Sequence, residues 1–178
     1  MVSGLALRAI TWPLVRPPAV TWPGNLVWTT PSFGFVWPRS QPANVHASSA
    51  TAWESLRADL IGTTDPAKAD STSIRGTLFA DPAGFGLATV SSNFNGVHMS
   101  AGPLEGLAEL TRFFGGSLTD WTFAGELASA GVSADRIAEL ADNPNLEANG
   151  ERGSAFDLTE GLDAEPAATL LAGAKPAA

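Results

Sequence analysis

The sequence predicts an α+β fold with an extended, β-rich N-terminal arm, a small antiparallel sheet and C-terminal helices. Three observations support this prediction. Residues 1–45 combine strand-forming residues with frequent prolines, residues 77–99 hold apolar runs separated by turn dipeptides, and apolar residues after 103 recur at helical spacing. Of the 178 residues, 44% are hydrophobic and 16% are charged, which is typical of a globular chain. We predict an arm (1–45), an α+β body (46–145) and an acidic, then Ala-rich tail (146–178).

The arm is rich in tryptophan and proline. Its strand-like segments are Leu5 to Ile10, Ala19 to Trp22, Leu26 to Thr30 and Phe33 to Trp37. Trp12, Trp22 and Trp37 are each followed by proline, which removes a backbone donor and favours edge strands or an extended arm.

Six aromatic side chains of the arm are predicted to bind a partner: Trp12, Trp22, Trp28, Phe33, Phe35 and Trp37. Each ring buries about 150–250 Å², so together they would cover on the order of 1,000 Å². The largest apolar patch of a monomer is usually about 300–600 Å². These rings are therefore expected to cover either their own body or a neighbouring molecule.

Charge is divided unevenly along the chain. Residues 1–53 hold Arg8, Arg16 and Arg39 and no acid, whereas residues 54–178 hold seven basic and 18 acidic residues, so charges of +3 and −11 give the total of −8. An acidic body predicts no nucleic-acid partner. The three arginines are predicted to steer the arm onto an acidic protein surface.

Residues 17–38 carry no charge, which by length would suit a membrane span. Five prolines in this stretch exclude an ordinary spanning helix, so we predict no membrane insertion. We identify no signal peptide, and the absence of cysteine excludes disulfides and thiolate metal sites.

The body is predicted to begin with a helix over residues 51–61. Thr51 and Glu54 have the spacing of a capping box, the apolar residues after Trp53 share one face, and Gly62 ends the helix. Residues 63–75 have the composition of a surface loop. Strands are predicted at Thr77 to Ala80, Phe85 to Phe94 and Val97 to Met99, with Asn95-Gly96 as a hairpin turn.

Three helices follow. The first begins at Pro103 and ends at Gly115, with Leu104, Leu107, Leu110 and Phe114 along one side. The second begins at Ser117-Asp120, carries Trp121, Ala124, Leu127 and Ala128, and ends at Gly131; the third is capped by Ser133 and stops before Pro144. The tail is expected to be loosely held unless a neighbouring molecule binds it.

The segment from Leu127 to Ser133, with Ile137 and Leu140, resembles the helix-turn-helix motif of bacterial repressors. The resemblance covers about 15 residues and implies a second helix that enters the major groove of DNA. The positions that would read bases are Asp135, Arg136, Glu139 and Asp142, and their net charge is negative. We therefore predict a plain helical hairpin.

Catalytic and metal-binding patterns are weak. His98 lies two residues before Ser100, and His46 lies in a polar linker. Asn145 to Glu151 resembles the start of a calcium loop, but its twelfth position is Phe156 instead of glutamate. Glu105 and Glu109 share one helical face and are expected to face solvent. We predict no enzyme activity, no cofactor and no metal.

These features favour a non-enzymatic structural subunit of a multimeric assembly, with other protein subunits as partners. A viral (phage) particle component, such as a capsid, cement or tail protein, fits this description best, and the virion is then the expected location. The alternative is a stand-alone module that binds carbohydrate or peptide in a Trp-lined groove.

Overall fold

The computed structural model describes residues 52–177 with their side chains and three earlier strands as backbone only. Residues 1–7, 10–27, 36–42, 50–51 and 178 lie outside the described part. The helices are α1 (Trp53–Ser55), α2 (Ile74–Ala80), α3 (Pro103–Phe114), α4 (Thr122–Ser129), α5 (Ala134–Ala141), α6 (Ala155–Leu158) and α7 (Ala164–Gly173). The strands are β1 (Arg8–Ala9), β2 (Trp28–Phe35), β3 (Ala43–Ser49), β4 (Val97–Met99), β5 (Asn145–Ala148), β6 (Glu151–Ser154) and β7 (Lys175–Pro176). The fold is mixed α and β, as predicted.

The strands form two antiparallel sheets. The first has the order β1-β3-β2-β4, and the second has the order β6-β5-β7. In the first sheet Phe33 lies opposite Met99 and Phe35 lies opposite Val97. The N-terminal segment is thus joined to the body of its own chain through β2.

The prediction of β structure over residues 77–99 is largely wrong. Thr77 to Ala80 belongs to α2, whose N-cap Ser73 accepts a hydrogen bond from the Gly76 N–H at 3.1 Å. Residues 85–94 form turns with a single bridge between Ser91 and Phe94. Val97–Met99 is a strand, but it pairs with β2 instead of forming a hairpin across Asn95-Gly96. Tertiary pairing decides the structure here, and local strand propensity does not.

Among the described side chains, eight buried residues form the first core, namely Trp53, Leu56, Ile61, Ile74, Leu78, Val90, Val97 and Met99. Helix α1 continues into a π-helical turn, Leu56–Ile61, and Gly62 ends it with a φ of +91°, as predicted. The predicted capping box depends on Thr51. Thr51 lies outside the described residues, the N-cap is Ala52, and the Trp53 N–H donates to Asp163 Oδ1 at 2.7 Å.

Among the described side chains, thirteen buried residues from α3 to α7, the α4–α5 turn and the second sheet form the second core; they are Leu104, Leu107, Phe123, Ala124, Leu127, Val132, Ile137, Leu140, Leu146, Ala155, Ala167, Ala168 and Leu171. The predicted start of α3 at Pro103, its end at Gly115 and the Ser133 cap of α5 are confirmed. The second predicted helix differs in detail. Ser117 and Asp120 form a capping box on a short 3₁₀ turn, and α4 begins only at Thr122.

The C-terminal segment is part of this core, so the expectation of a loosely held tail is wrong. Strands β5 and β6 form a hairpin across Asn149-Gly150, and α7 buries Ala167, Ala168 and Leu171 on one face. Strand β7 then pairs with β5. Alanines at helical spacing bury little area each, yet they let α7 approach its neighbours closely.

The two cores meet at a junction formed by residues 53–57, 100–105 and 159–163. Arg57 donates to Ala101 O at 3.4 Å and forms an ion pair with Glu160 at 2.7 Å. The Gly161 N–H donates to Ala101 O at 2.9 Å. Trp53 Nε1 donates to Ser100 O at 3.2 Å. A buried side chain of the first core is thus bound to the backbone just before α3, the first helix of the second core.

Candidate interaction surfaces

The predicted partner-binding residues lie mostly beyond the described side chains. Trp12, Arg16, Trp22, Trp37 and Arg39 fall outside the described residues. The remaining four, Arg8, Trp28, Phe33 and Phe35, belong to β1 and β2, which are described as backbone only. The sheet pairing places β2 next to β4, and the binding role of all nine residues stays a prediction.

Strand β4 is at the edge of the first sheet, and the guanidinium of the half-buried Arg75 binds one of its carbonyls. Arg75 donates to Val97 O at 3.0 Å and to Gly62 O at 2.8 Å. Burial lowers the pKa of Arg75, and the nearby charge of Arg57 lowers it further. A covered edge carbonyl disfavours addition of a foreign strand at β4.

His98 and Ser100 both bind the carboxylate of Glu109. His98 Nε2 lies 2.8 Å from Glu109 Oε1, and Ser100 Oγ donates to Glu109 Oε2 at 2.5 Å. The Glu109 side chain is 13% exposed, so the expectation that it faces solvent is wrong. This meeting of a histidine, an acid and a hydroxyl was not predicted, because Glu109 is eleven residues from His98 and only the fold brings them together.

The order of these hydrogen bonds is not that of a nucleophilic triad. In such a triad the histidine lies between the acid and the serine, so that it can accept the serine proton. Here the carboxylate lies between them, and Ser100 is fully buried. The hydrogen bond to Glu109 raises the pKa of His98. Burial alone would raise the pKa of Glu109, but the hydrogen bonds from His98 and Ser100 outweigh it and the pKa is lowered.

Surface depressions in the described part of the chain include a cleft beside the first core and a groove beside the second. A cleft of about 280 Å³ lies beside the π-helical turn and is lined by Glu54, Arg57 and Arg75 among others. A larger groove of about 570 Å³ separates the outer side of α7 from the tip of the β5–β6 hairpin. Ala148 and Asn149 form its hairpin wall, and Pro166 and Leu170 lie on the α7 wall.

The two segments that resembled known motifs adopt simple structures. Helices α4 and α5 are joined by a tight turn in which Gly131 has a φ of +89° and the Val132 N–H donates to Leu127 O. On α5, Arg136 pairs with Glu139 at 2.8 Å. Residues 145–154, which include the suspected calcium loop, form the β5–β6 hairpin, and Glu147 pairs with Arg152 at 2.9 Å.

Within residues 52–177 no cluster of three or more histidine, aspartate or glutamate side chains could hold a metal ion. None of the helices that the structure describes combines the length and apolar character of a membrane span. Comparisons with protein-family models, curated proteins and solved structures find no match to this chain.

Proposed function

We propose that this protein is a non-enzymatic structural subunit of a multimeric assembly, a viral (phage) particle, and that it uses its N-terminal arm to hold neighbouring subunits. The proposal rests on the uneven distribution of tryptophans and charged residues along the sequence. Residues 1–45 hold four of the six tryptophans and no acid, and residues 54–178 have a net charge of −11. Opposite charges favour docking of one copy's arm on another's body, and tryptophans are frequent anchors of such contacts.

Two features of the body support this proposal. The cluster around Glu109 has its serine buried and bonded to the carboxylate, which is a structural arrangement and not that of a nucleophile. In addition, Arg75 donates a hydrogen bond to the Val97 carbonyl of strand β4. Because this carbonyl is already bound, we expect a partner to bind a side-chain groove and not this strand edge.

The test measures the mass of the full-length chain over a range of concentrations by light scattering. We expect self-association, or association with particle components added to the solution, that is lost in the double variant Trp12→Ser/Trp22→Ser. The matched control is Phe94→Ser, which removes an aromatic that is 69% exposed on the body. The proposal fails if the double variant associates as the unaltered chain does.

The alternative is a stand-alone module that binds carbohydrate or peptide. Tryptophan fluorescence distinguishes the two functions in the same samples. A blue shift on adding glycans or peptides to a monomeric chain would support the module, whereas a shift that depends only on protein concentration supports assembly.

A further inference from the structure

The groove between α7 and the β5–β6 hairpin has the properties of a receiving surface. We propose that it binds residues 10–27 of a second copy of this chain, the part of the Trp/Pro-rich arm (residues 1–45) that lies between β1 and β2 and contains Trp12 and Trp22. This inference rests on the proposed function and names the surface of the body that the arm occupies.

The lining of the groove is largely apolar although it lies at the surface. Helix α7 contributes Pro166, Leu170 and Gly173, and Leu162 and Ala148 complete the apolar lining. Added bulk at Gly173 would meet nothing within 4 Å, so an incoming ring can lie close to the backbone there. At about 570 Å³ the groove falls within the size range of specific ligand sites, about 300–1,000 Å³.

The charges beside the groove are negative and favour binding of a basic segment. Glu165 lines it, and Glu151 lies on the hairpin directly opposite Ala148. Considering residues 52–177, neither carboxylate forms an ion pair with a basic side chain. A partner that brings aromatic rings and arginines without carboxylates would therefore gain both apolar burial and charge attraction.

The arm has this composition, and the body does not. Arg16 lies four residues after Trp12 and Pro13 follows it, so a cationic side chain flanks an apolar anchor. All 18 acids of the chain lie after residue 53. A body surface of another copy would bring like charges to Glu151 and Glu165, which is unfavourable.

The experiment is a complementation test with full-length chains. The groove variant is Thr169→Arg, because Thr169 is an exposed groove residue on α7 and arginine there adds bulk and repels the arm. Its matched control is Ala138→Arg, an exposed position on α5 that does not line the groove. Glu165→Lys is a second groove variant that reverses a charge without changing an apolar contact.

We expect each groove variant alone, and the Trp12→Ser/Trp22→Ser variant alone, to raise the Kd for self-association at least tenfold. An equimolar mixture of Thr169→Arg and the tryptophan variant should form a two-chain complex, because one chain retains a functional arm and the other a functional groove. The mass from light scattering identifies this complex, and circular dichroism checks that each variant is folded.

The outcomes separate the inference from the proposed function. If both groove variants associate as the unaltered chain while the tryptophan variant does not, the groove is not the receiving surface, and the structural function stands. A mixture that stays monomeric, or an unaltered chain that stays monomeric at all concentrations, also overturns the inference. If the tryptophan variant associates normally, the proposed function and the inference fail together.

Discussion

The two cores differ in how much of their structure is encoded locally. In the second core, Pro103, Ser133 and Gly131 stand at helix ends, and the apolar residues between them recur at helical spacing. In the first core, the helix from Trp53 has its first N–H bound by Asp163, 110 residues away, and strand β4 pairs with the distant strand β2. Local signals determine the second core, whereas long-range contacts determine the first.

The largest expected effect comes from leucine truncation. Leu127 is fully buried in the second core, and Leu78 is 6% exposed in the first. We expect Leu127→Ala to lower the free energy of unfolding by about 3–5 kcal/mol and Leu78→Ala by about 2–3 kcal/mol, since a smaller and less regular core collapses more easily around a cavity.

Urea denaturation measures both changes, and the indole N–H signals of Trp53 and Trp121 report on each core separately in NMR spectra. As the urea concentration rises, we expect the Trp53 and Trp121 signals of Leu127→Ala to disappear together. In Leu78→Ala we expect the Trp121 signal to persist when the Trp53 signal is lost. A larger cost for Leu78→Ala would contradict the comparison.

The two Asn-Gly dipeptides allow a second comparison, in which the expected loss of stability is of intermediate size. Gly96 has a φ of +79°, and a Cβ there would lie 2.6 Å from Leu78 Cδ1 in the first core. Gly150 has a φ of +84° in the β5–β6 hairpin, with nothing within 4 Å. Gly150→Ala should cost about 1–2 kcal/mol from backbone strain alone. Gly96→Ala should cost about 1–3 kcal/mol more, because it also overpacks the core.

Urea denaturation of the two variants side by side provides the measurement, and each glycine variant is the control for the other. Equal costs would show that Leu78 moves aside freely and that the first core is loosely packed at this position.

The smallest expected effect concerns pH. Hydrogen bonding to Glu109 raises the pKa of His98 in the folded protein. Stability from this contact is therefore fully present below the ordinary pKa of 6.5 and is lost as pH rises through the folded pKa. The His98 side chain is 57% exposed, so the effect should stay below about 1 kcal/mol.

Comparing the pH dependence of unfolding for the unaltered chain and His98→Gln isolates this contribution. Above pH 6.5 the unaltered chain should lose stability that the variant never had. Identical pH profiles would mean that the contact between β4 and α3 does not contribute to folding.

The difference between the two cores also explains which parts of the fold could be predicted from the sequence. The ends of α3 and α5 were predictable, because Pro103, Gly115 and Ser133 act on their own backbone. The predicted hairpin at Asn95-Gly96 does not form, because β4 pairs with β2. A hairpin forms at Asn149-Gly150 instead, where Leu146 and Ala148 alternate with polar residues before the turn. The cluster of His98, Ser100 and Glu109 was not predictable, because no local pattern links a strand to a helix face.

The contact between Trp53 and Asp163 has a consequence for the order of events during synthesis. The ribosome releases Trp53 long before Asp163, and until then the first N–H of α1 lacks the carboxylate that binds it in the folded protein. A nascent chain that stalls before residue 163 should therefore carry a frayed first helix, even with every residue of the first core already outside the exit tunnel.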